Sequence, residues 1–316
     1  MITGTEAIVG NSRAIEEVRE LIHTVAPTRL PVLIQGPTGC GKELVASAIH
    51  AASGRRGAFV PFNVCAIAET MFEDALFGHV RGAFTGASID VPGYFREAND
   101  GTVFLDEVSD LPVPLQTKLL RAIETGVFRP VGAKYDARSD FRVLAATNQD
   151  MRKLVAEGRL RPDLAHRIGA VVIDVPPLSQ RLEDVPLLVQ HFLRQVGATV
   201  AVSHEAIAIL TAHHWPGNIR ELRNVVEWTA VLSEGSLRPS LAKMALARAH
   251  TVTRSDDRNL TERRLLREIL ELHGWDAHAT SRALRVHRAT LYRRMKRLGI
   301  VAPSKCERAI MWSIPA

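Results

Sequence analysis

The stretch Pro31-Val32-Leu33-Ile34-Gln35-Gly36-Pro37-Thr38-Gly39-Cys40-Gly41-Lys42-Glu43 decides the fold. A short apolar run enters a glycine-rich loop, and a helical pattern from Glu43 to Ala52 follows at once. The glycines let backbone N–H groups surround a β-phosphate, the helix N-terminus adds its partial positive charge, and Lys42 bridges the β and γ phosphates. Residues Gly36, Pro37, Thr38, Gly39, Cys40, Gly41, Lys42 and Glu43 are therefore read as a cradle for ATP. Glu43 stands where a Ser or Thr usually offers its hydroxyl to magnesium, so Asp106 and water are expected to carry more of that ion's coordination.

Working outward, Thr102-Val103-Phe104-Leu105-Asp106-Glu107 is an apolar run ending in two acids. A parallel sheet presents its ligand crevice at such strand ends. Asp106 suits magnesium and Glu107 suits polarising an attacking water; a pair of solvated acids is the plainer alternative. Asn148 closes the run Phe141 to Ala146 at the same edge, where it is read as a γ-phosphate sensor or a water-positioning group. Arg161 and Arg167 lie on a turn-plus-helix segment and are candidates for stabilising transition-state charge from a neighbouring subunit.

The runs Pro31–Gln35, Thr102–Leu105, Phe141–Ala146 and Ala170–Ile173 read as buried parallel strands separated by helical patterns, which predicts a three-layer α/β domain. After Pro177 the strands stop, and Val185–Val196, Ser203–His213 and Asn218–Leu232 read as helices. The expected organisation is an α/β ATPase subdomain over 1–175, a helical subdomain over 176–238, a linker over 239–259 and a small all-α domain with its tail over 260–316. Leu241 to Ala249, inside that linker, keeps some helical character.

The chain has 316 residues, of which 46% are hydrophobic and 23% charged. No apolar stretch reaches membrane-spanning length and the N-terminus carries no signal pattern. Cys40, Cys65 and Cys306 have no paired spacing, which argues against a disulfide framework and a zinc site and points to a cytoplasmic location. Cys40 sits at a helix N-terminus that favours a thiolate, although a small residue filling a tolerant loop position is the simpler reading. The net charge of +6 is unevenly spread, with 13 Lys and Arg against 5 Asp and Glu from Arg258 onward. Nucleic acid is the partner that a basic terminal domain suggests.

Together these residues resemble the AAA+ activators of sigma-54 RNA polymerase, the bacterial enhancer-binding proteins, from about Ile8-Val9-Gly10 to Ile300. The most specific match is Phe77-Gly-His-Val-Arg-Gly82-Ala83-Phe84-Thr85-Gly86-Ala87. The resemblance implies that Gly82–Ala87, with Phe84 and Thr85 foremost, engages the sigma factor. It implies that Asn63 is a switch asparagine restraining Glu107, that Arg161 and Arg167 reach the adjacent protomer, and that Arg220, in Trp215-Pro-Gly-Asn-Ile-Arg220, is a second sensor. It makes Glu43 an expected variant of the loop. Val64, Pro162, Ala165 and His166 depart from the family's commoner residues. A homo-oligomer, from dimer to hexameric ring, is implied, with sigma-54, RNA polymerase and enhancer DNA as partners. The ATPase motifs begin almost at Met1, so control is expected from a separate regulatory protein, from expression level or from a domain outside this sequence.

Ala277–Gly299 has helix–turn–helix spacing and resembles the Fis-type domain. Leu291, Met295 and Leu298 are read as inward-facing, with Gly299 as the helix stop. Arg288, Ala289, Tyr292, Arg293 and Lys296 are read as the DNA-facing set. A basic helical module for oligomerisation is the alternative. For the whole chain, the competing functions are an AAA+ remodeller of another target and a nucleotide-insensitive DNA-binding repressor. The intact Gly82–Ala87 loop, Glu107 and both arginines argue against the repressor.

Overall fold

The computed structural model describes residues 5–67, 69–198, 200–233 and 236–249, and in the C-terminal region 266–267, 270–271, 273–283, 291–292, 295 and 298–300. The chain divides into two compact units, Met1–Lys243 and Met244–Ala316.

The larger unit opens with α1 (Arg13–Val25), β1 (Val32–Gln35), α2 (Lys42–Ala52) and β2 (Phe59–Asn63). Then come α3 (Phe72–Phe77), α4 (Gly93–Glu97), β3 (Thr102–Asp106) and α5 (Val113–Thr125). A small hairpin of β4 (Val127–Phe128) and β5 (Ala137–Arg138) leads to β6 (Arg142–Thr147), α6 (Met151–Ala156), α7 (Pro162–Ile168) and β7 (Val171–Asp174). The principal sheet is parallel, with strand order β2-β3-β6-β1-β7.

Alternation along each strand builds the two cores. Leu33, Val103, Leu105, Val143 and Ala145 face one side, with α3, α4, α5, α6 and α7 packed over them. Val32, Ile34, Phe104, Leu144 and Ala146 face the other, under α1 and α2. The three-layer α/β reading therefore holds, and its four strands are all present. The fifth, β2, escapes a reading by hydrophobic runs because Pro61 interrupts Phe59-Val-Pro-Phe-Asn63. A proline cannot donate to a ladder and is tolerated at an edge, which is where β2 lies.

Arg142 opens β6 and is only 2% exposed. Its guanidinium donates to the carbonyls of Leu30, Ala26 and Val25 at 3.1, 2.8 and 2.9 Å, which satisfies the end of α1. Burial pushes its pKa down to about 10, which leaves it charged at neutral pH.

The helical subdomain consists of α8 (Val185–Gln195), α9 (His204–Thr211) and α10 (Asn218–Leu232). Ser203 caps α9 by accepting from the Ala206 N–H at 3.2 Å. Trp215 is 1% exposed, and its indole donates to the Leu210 carbonyl at 2.9 Å, fastening α9 to the segment before α10. Strands do not stop altogether here: β8 (Ala201–Val202) pairs with β9 (Ser236–Leu237). Two-residue pairings are too short to leave a periodicity. Residues 239–249, within the stretch read as a linker, are helical. Ala242, Ala245 and Leu246 are buried at helical spacing, a pattern that the surrounding polar residues obscure.

In the second unit Leu266, Leu270, Leu291, Met295, Leu298 and Ile300 form a core, with Trp275 and Ala277 packed on it. Asp276 accepts from the His278 N–H at 2.7 Å at the start of the helix Ala277–Ala283. Gly299 adopts φ +61°, and the Ile300 N–H returns to the Met295 carbonyl at 2.9 Å, so the expected helix stop is present. The tail 301–316 lies outside the described residues.

Arg142→Met keeps the bulk but takes the donor from the buried Ala26 carbonyl and removes the further bonds to Val25, which keeps Thr28, and to Leu30. The expected loss is about 3 kcal/mol, read as a melting temperature lower by roughly 5–10 °C.

Candidate functional site

The loop after β1 has room to form because β1 lies between β6 and β7, with Gln35 opposite both Thr147 and Asp174. Lys42 opens α2 and is 6% exposed. Its Nζ donates to the Gly36 carbonyl at 3.0 Å and lies 3.6 Å from Glu107 Oε1. Glu107 in turn accepts from the Asn148 N–H at 3.3 Å, and the Asn148 amide donates to Thr38 Oγ1 at 3.0 Å. Lys42, Glu107, Asn148 and Thr38 thus form one network across three strand ends.

Glu107 reaches this network through an uncommon backbone. Its φ and ψ are 55° and 50°, the left-handed region, which costs a non-glycine residue on the order of 1 kcal/mol. The turn sends its carboxylate toward Lys42, while Asp106 stays on the strand.

The expected restraint of Glu107 by Asn63 is not what the geometry has. The Asn63 amide donates to Asp106 Oδ2 at 3.2 Å, and its oxygen accepts from the Cys65 N–H at 2.9 Å. The parallel register sets Asn63 directly opposite Asp106, and the turn at Glu107 carries that carboxylate away.

The helical subdomain touches the loop directly. The Asn218 amide donates to the Thr38 carbonyl at 3.0 Å, and the Ile219 N–H donates to the Gly39 carbonyl at 3.0 Å. Asn218 Oδ1 also accepts from the Leu178 N–H at 2.9 Å. A Cβ on Gly39, whose φ is +79°, would fall 2.6 Å from the Gly217 carbonyl, so close approach as well as conformation demands glycine there. Arg220 is exposed beside this contact, its Cβ next to Gly39.

A second tie was not legible in the sequence. Arg181 is 1% exposed and donates to the Cys40 carbonyl at 2.9 Å. Three residues on, the fully buried Asp184 accepts from the N–H groups of Asn11 and Ser12 at 2.7 and 2.8 Å and from Ser12 Oγ at 2.6 Å. One short segment thereby joins the N-terminal strap to the phosphate loop.

Arg161 and Arg167 flank α7 at the surface, and among the described residues neither meets the phosphate loop. Arg161 forks onto its own neighbour Asp163 at 3.0 and 2.7 Å. Its backbone N–H donates to Gln116, a fully buried side chain that also donates to the carbonyls of Leu111 and Arg159. Gln116 therefore sets where the arginine segment leaves the core. Arg167 is exposed on the last turn of α7.

The Gly82–Ala87 loop is inserted between α3 and α4. His79 and Val91 exchange backbone hydrogen bonds at 3.0 and 2.9 Å and close its stem. Within it, the Gly82 N–H donates to the Ala87 carbonyl at 2.8 Å and the Ala87 N–H to the Phe84 carbonyl at 3.0 Å. Gly82 and Gly86 take φ +81° and +103°, and a Cβ at either would meet nothing within 4 Å, so backbone conformation alone requires them. Phe84 and Thr85 are exposed, Ala83 is partly covered and Ala87 is buried. The loop of the β4–β5 hairpin leans on it: the Val80 N–H donates to the Val131 carbonyl at 3.1 Å and the Val131 N–H to the Gly78 carbonyl at 2.8 Å.

Among known protein families, residues 8–174 match the sigma-54 interaction domain, 179–262 the AAA+ ATPase lid domain and 258–298 the Fis family of bacterial regulatory proteins. The chain belongs to the family of sigma-54-dependent transcriptional activators. It is 40% identical to the formate hydrogenlyase transcriptional activator of Salmonella typhimurium strain LT2, over 93% of this chain and 44% of that protein. It is 42% identical to the DNA-binding transcriptional regulator NtrC of Escherichia coli K12, over 73% of this chain and 50% of that one. The chain thus spans about half the length of these curated relatives. NtrX of Brucella abortus, solved in complex with ATP, superimposes with a TM-score of 0.68 at 35% identity, over 92% of this chain and 69% of that one. RuvB of Thermotoga maritima shares the fold, with a TM-score of 0.53 at 16% identity.

In this family member the Fis-type match covers the helix–turn–helix reading. Of the DNA-facing set, Tyr292 is described and is 52% exposed. Arg288, Ala289, Arg293 and Lys296 lie outside the described residues.

Cys40 fits the simpler reading, a small residue filling the loop, rather than a thiolate. Cys40 is 1% exposed, and burial pushes its thiol above the ordinary value despite the nearby Lys42 and Arg181. Cys65 is pushed up to about 11, by loss of solvent around the sulphur and then by its hydrogen bond to Asp110 and the charges of Asp110, Glu107 and Asp106. A raised pKa leaves less thiolate at any pH below it. At pH 8 alkylation of Cys65 in the folded chain is therefore expected to run about tenfold slower than in the unfolded chain, after allowing for the greater nucleophilicity of a more basic thiolate. Peptide mapping of iodoacetamide-treated protein measures it, and equal rates would refute the assignment.

Proposed function

We propose that this chain hydrolyses ATP and uses the cycle to drive the Gly82–Ala87 loop against sigma-54, opening the closed RNA polymerase complex from an enhancer site held by its Fis-type domain. One observation carries the reading: a compact, glycine-hinged loop with Phe84 and Thr85 exposed is built into the same unit as a complete phosphate-loop site.

In the proposed site Lys42 binds the β and γ phosphates, and Glu107 polarises the attacking water. These two side chains face each other at 3.6 Å. A γ-phosphate competes for Lys42, so its arrival loosens one of the two contacts on Glu107. Asn148, bonded to both Glu107 and Thr38, is positioned to report the same event. The donor set suits magnesium, because that ion binds through one or two carboxylates together with substrate phosphates and water, and Asp106 supplies such a carboxylate. When bound, magnesium neutralises charge on the phosphates. Asn63 holds the Asp106 carboxylate and leads directly into the segment before α3, from which the loop emerges.

In a ring, which the reading takes to be a hexamer in the cytoplasm, Arg161 and Arg167 serve the neighbouring protomer's ATP. Arg161 must then exchange Asp163 for phosphate, a change between two charged partners at an exposed position. Arg220 meets the same nucleotide from the helical subdomain. Work is coupled only if ATP binds the raised and lowered loop with different affinity.

Two experiments test this. Lys42→Ala is expected to weaken ATP binding at least about tenfold, whereas Glu107→Gln keeps binding and lowers turnover about a hundredfold or more; isothermal titration and phosphate release separate the two effects. Thr85→Ala is expected to retain ATP turnover while losing sigma-54 capture in the presence of ADP and aluminium fluoride. Capture by neither protein, with ATP hydrolysis intact, would instead favour a remodeller of another target.

A further inference from the structure

The stem residue His79 makes three contacts that its place in the sequence does not reveal. Its backbone closes the stem with Val91. Its Nδ1 lies 2.5 Å from Asp74 Oδ1, on α3. A carboxylate can only accept, so Nδ1 carries the proton. The other face of the ring meets Phe84 edge-on, with centroids 4.9 Å apart and planes at 65°.

These contacts form a short rigid chain from α3 to the loop tip. An unbraced imidazole turns broadly about its last torsion, and the bond to Asp74 removes that freedom. Edge-to-face packing then favours one orientation of the Phe84 ring. Beyond its own backbone hydrogen bonds the tip has little side-chain restraint: Thr85 and Gly86 are exposed, a Cβ at Gly82 or Gly86 would meet nothing within 4 Å, and Phe84 itself is 47% exposed. His79, by contrast, is 8% exposed and is held at both ends.

We propose that His79, braced by Asp74, is the positioning residue that sets how Phe84 is presented to its partner. The inference rests on the reading of Gly82–Ala87 as the sigma-54 contact. Its consequence is mechanical: any rotation of α3 is transmitted through Asp74 and His79 to the Phe84 ring, so the tip moves with the helix that precedes it.

Hydrogen exchange in the full chain tests the brace without any partner, reading the peptide over 82–87 against the core peptide over 102–106. His79→Ala and Asp74→Ala are expected to raise that ratio about tenfold, the scale of one lost aromatic contact. Asp74→Asn, which keeps an oxygen acceptor, is expected to stay within about twofold of wild type. In capture with ADP and aluminium fluoride, the two alanine variants are expected to need on the order of tenfold more sigma-54 for half-saturation, and Asp74→Asn is not. An unchanged exchange ratio in His79→Ala, or equal damage by Asp74→Asn and Asp74→Ala, would overturn the assignment. If wild type captures no sigma-54, the partner reading fails, and exchange still decides whether His79 positions the tip.

Discussion

The placement of β1 between β6 and β7 is the constraint on which the site depends. Because the pairing is parallel, the carboxyl ends of β1, β3 and β6 come out at one edge. The chain must leave β1 and cross to β2 on one side, while β7 closes the other, and the crevice opens where those directions diverge. Lys42, Glu107 and Asn148 are far apart in sequence and meet for this reason alone. Moving any one strand by a residue would exchange the side chains it gives to the two cores and shift its carboxyl end, so the packing that fixes the register also protects the site.

Around that edge the helical subdomain is hydrogen-bonded to the loop's backbone. Asn218 and Ile219 hold Thr38 and Gly39, and Arg181 holds Cys40. A displacement of the phosphate loop by ligand is therefore felt in α10 and, through Asp184, in the N-terminal strap. Trp215 and Asn218 both have positive φ, at 51° and 53°, so the Trp-Pro-Gly-Asn turn is held in a conformation that its neighbours must enforce. Strain of this kind is consistent with a segment whose geometry is set by its contact with the loop.

The Gly82–Ala87 loop has an exposed tip on a closed stem. The stem is pinned by Val91, Val131 and Asp74, and the tip carries exposed side chains on a glycine-flanked turn. Asn63 faces Asp106 across the β2–β3 register and opens the segment leading to α3. The Arg161 guanidinium is held by Asp163 through two hydrogen bonds.

The sequence by itself determined the α/β class, four of the five principal strands, the phosphate loop, the paired acids, the helical subdomain and the glycine-flanked Gly82–Ala87 loop. Each of these is local: alternation, glycine spacing and helix periodicity are written within a dozen residues. β2 was hidden because Pro61 breaks its run, and only its edge position makes the proline tolerable. The partner of Asn63 was misread because a register and a left-handed turn decide which carboxylate it meets. Gln116, Arg181, Asp184 and Asn218 carried no signal, since an isolated polar residue looks the same whether it is solvated or buried. Tertiary structure alone decided their roles, because each bonds to backbone at least 43 residues away in sequence. Such pairings depend on how layers pack, and no local pattern encodes them.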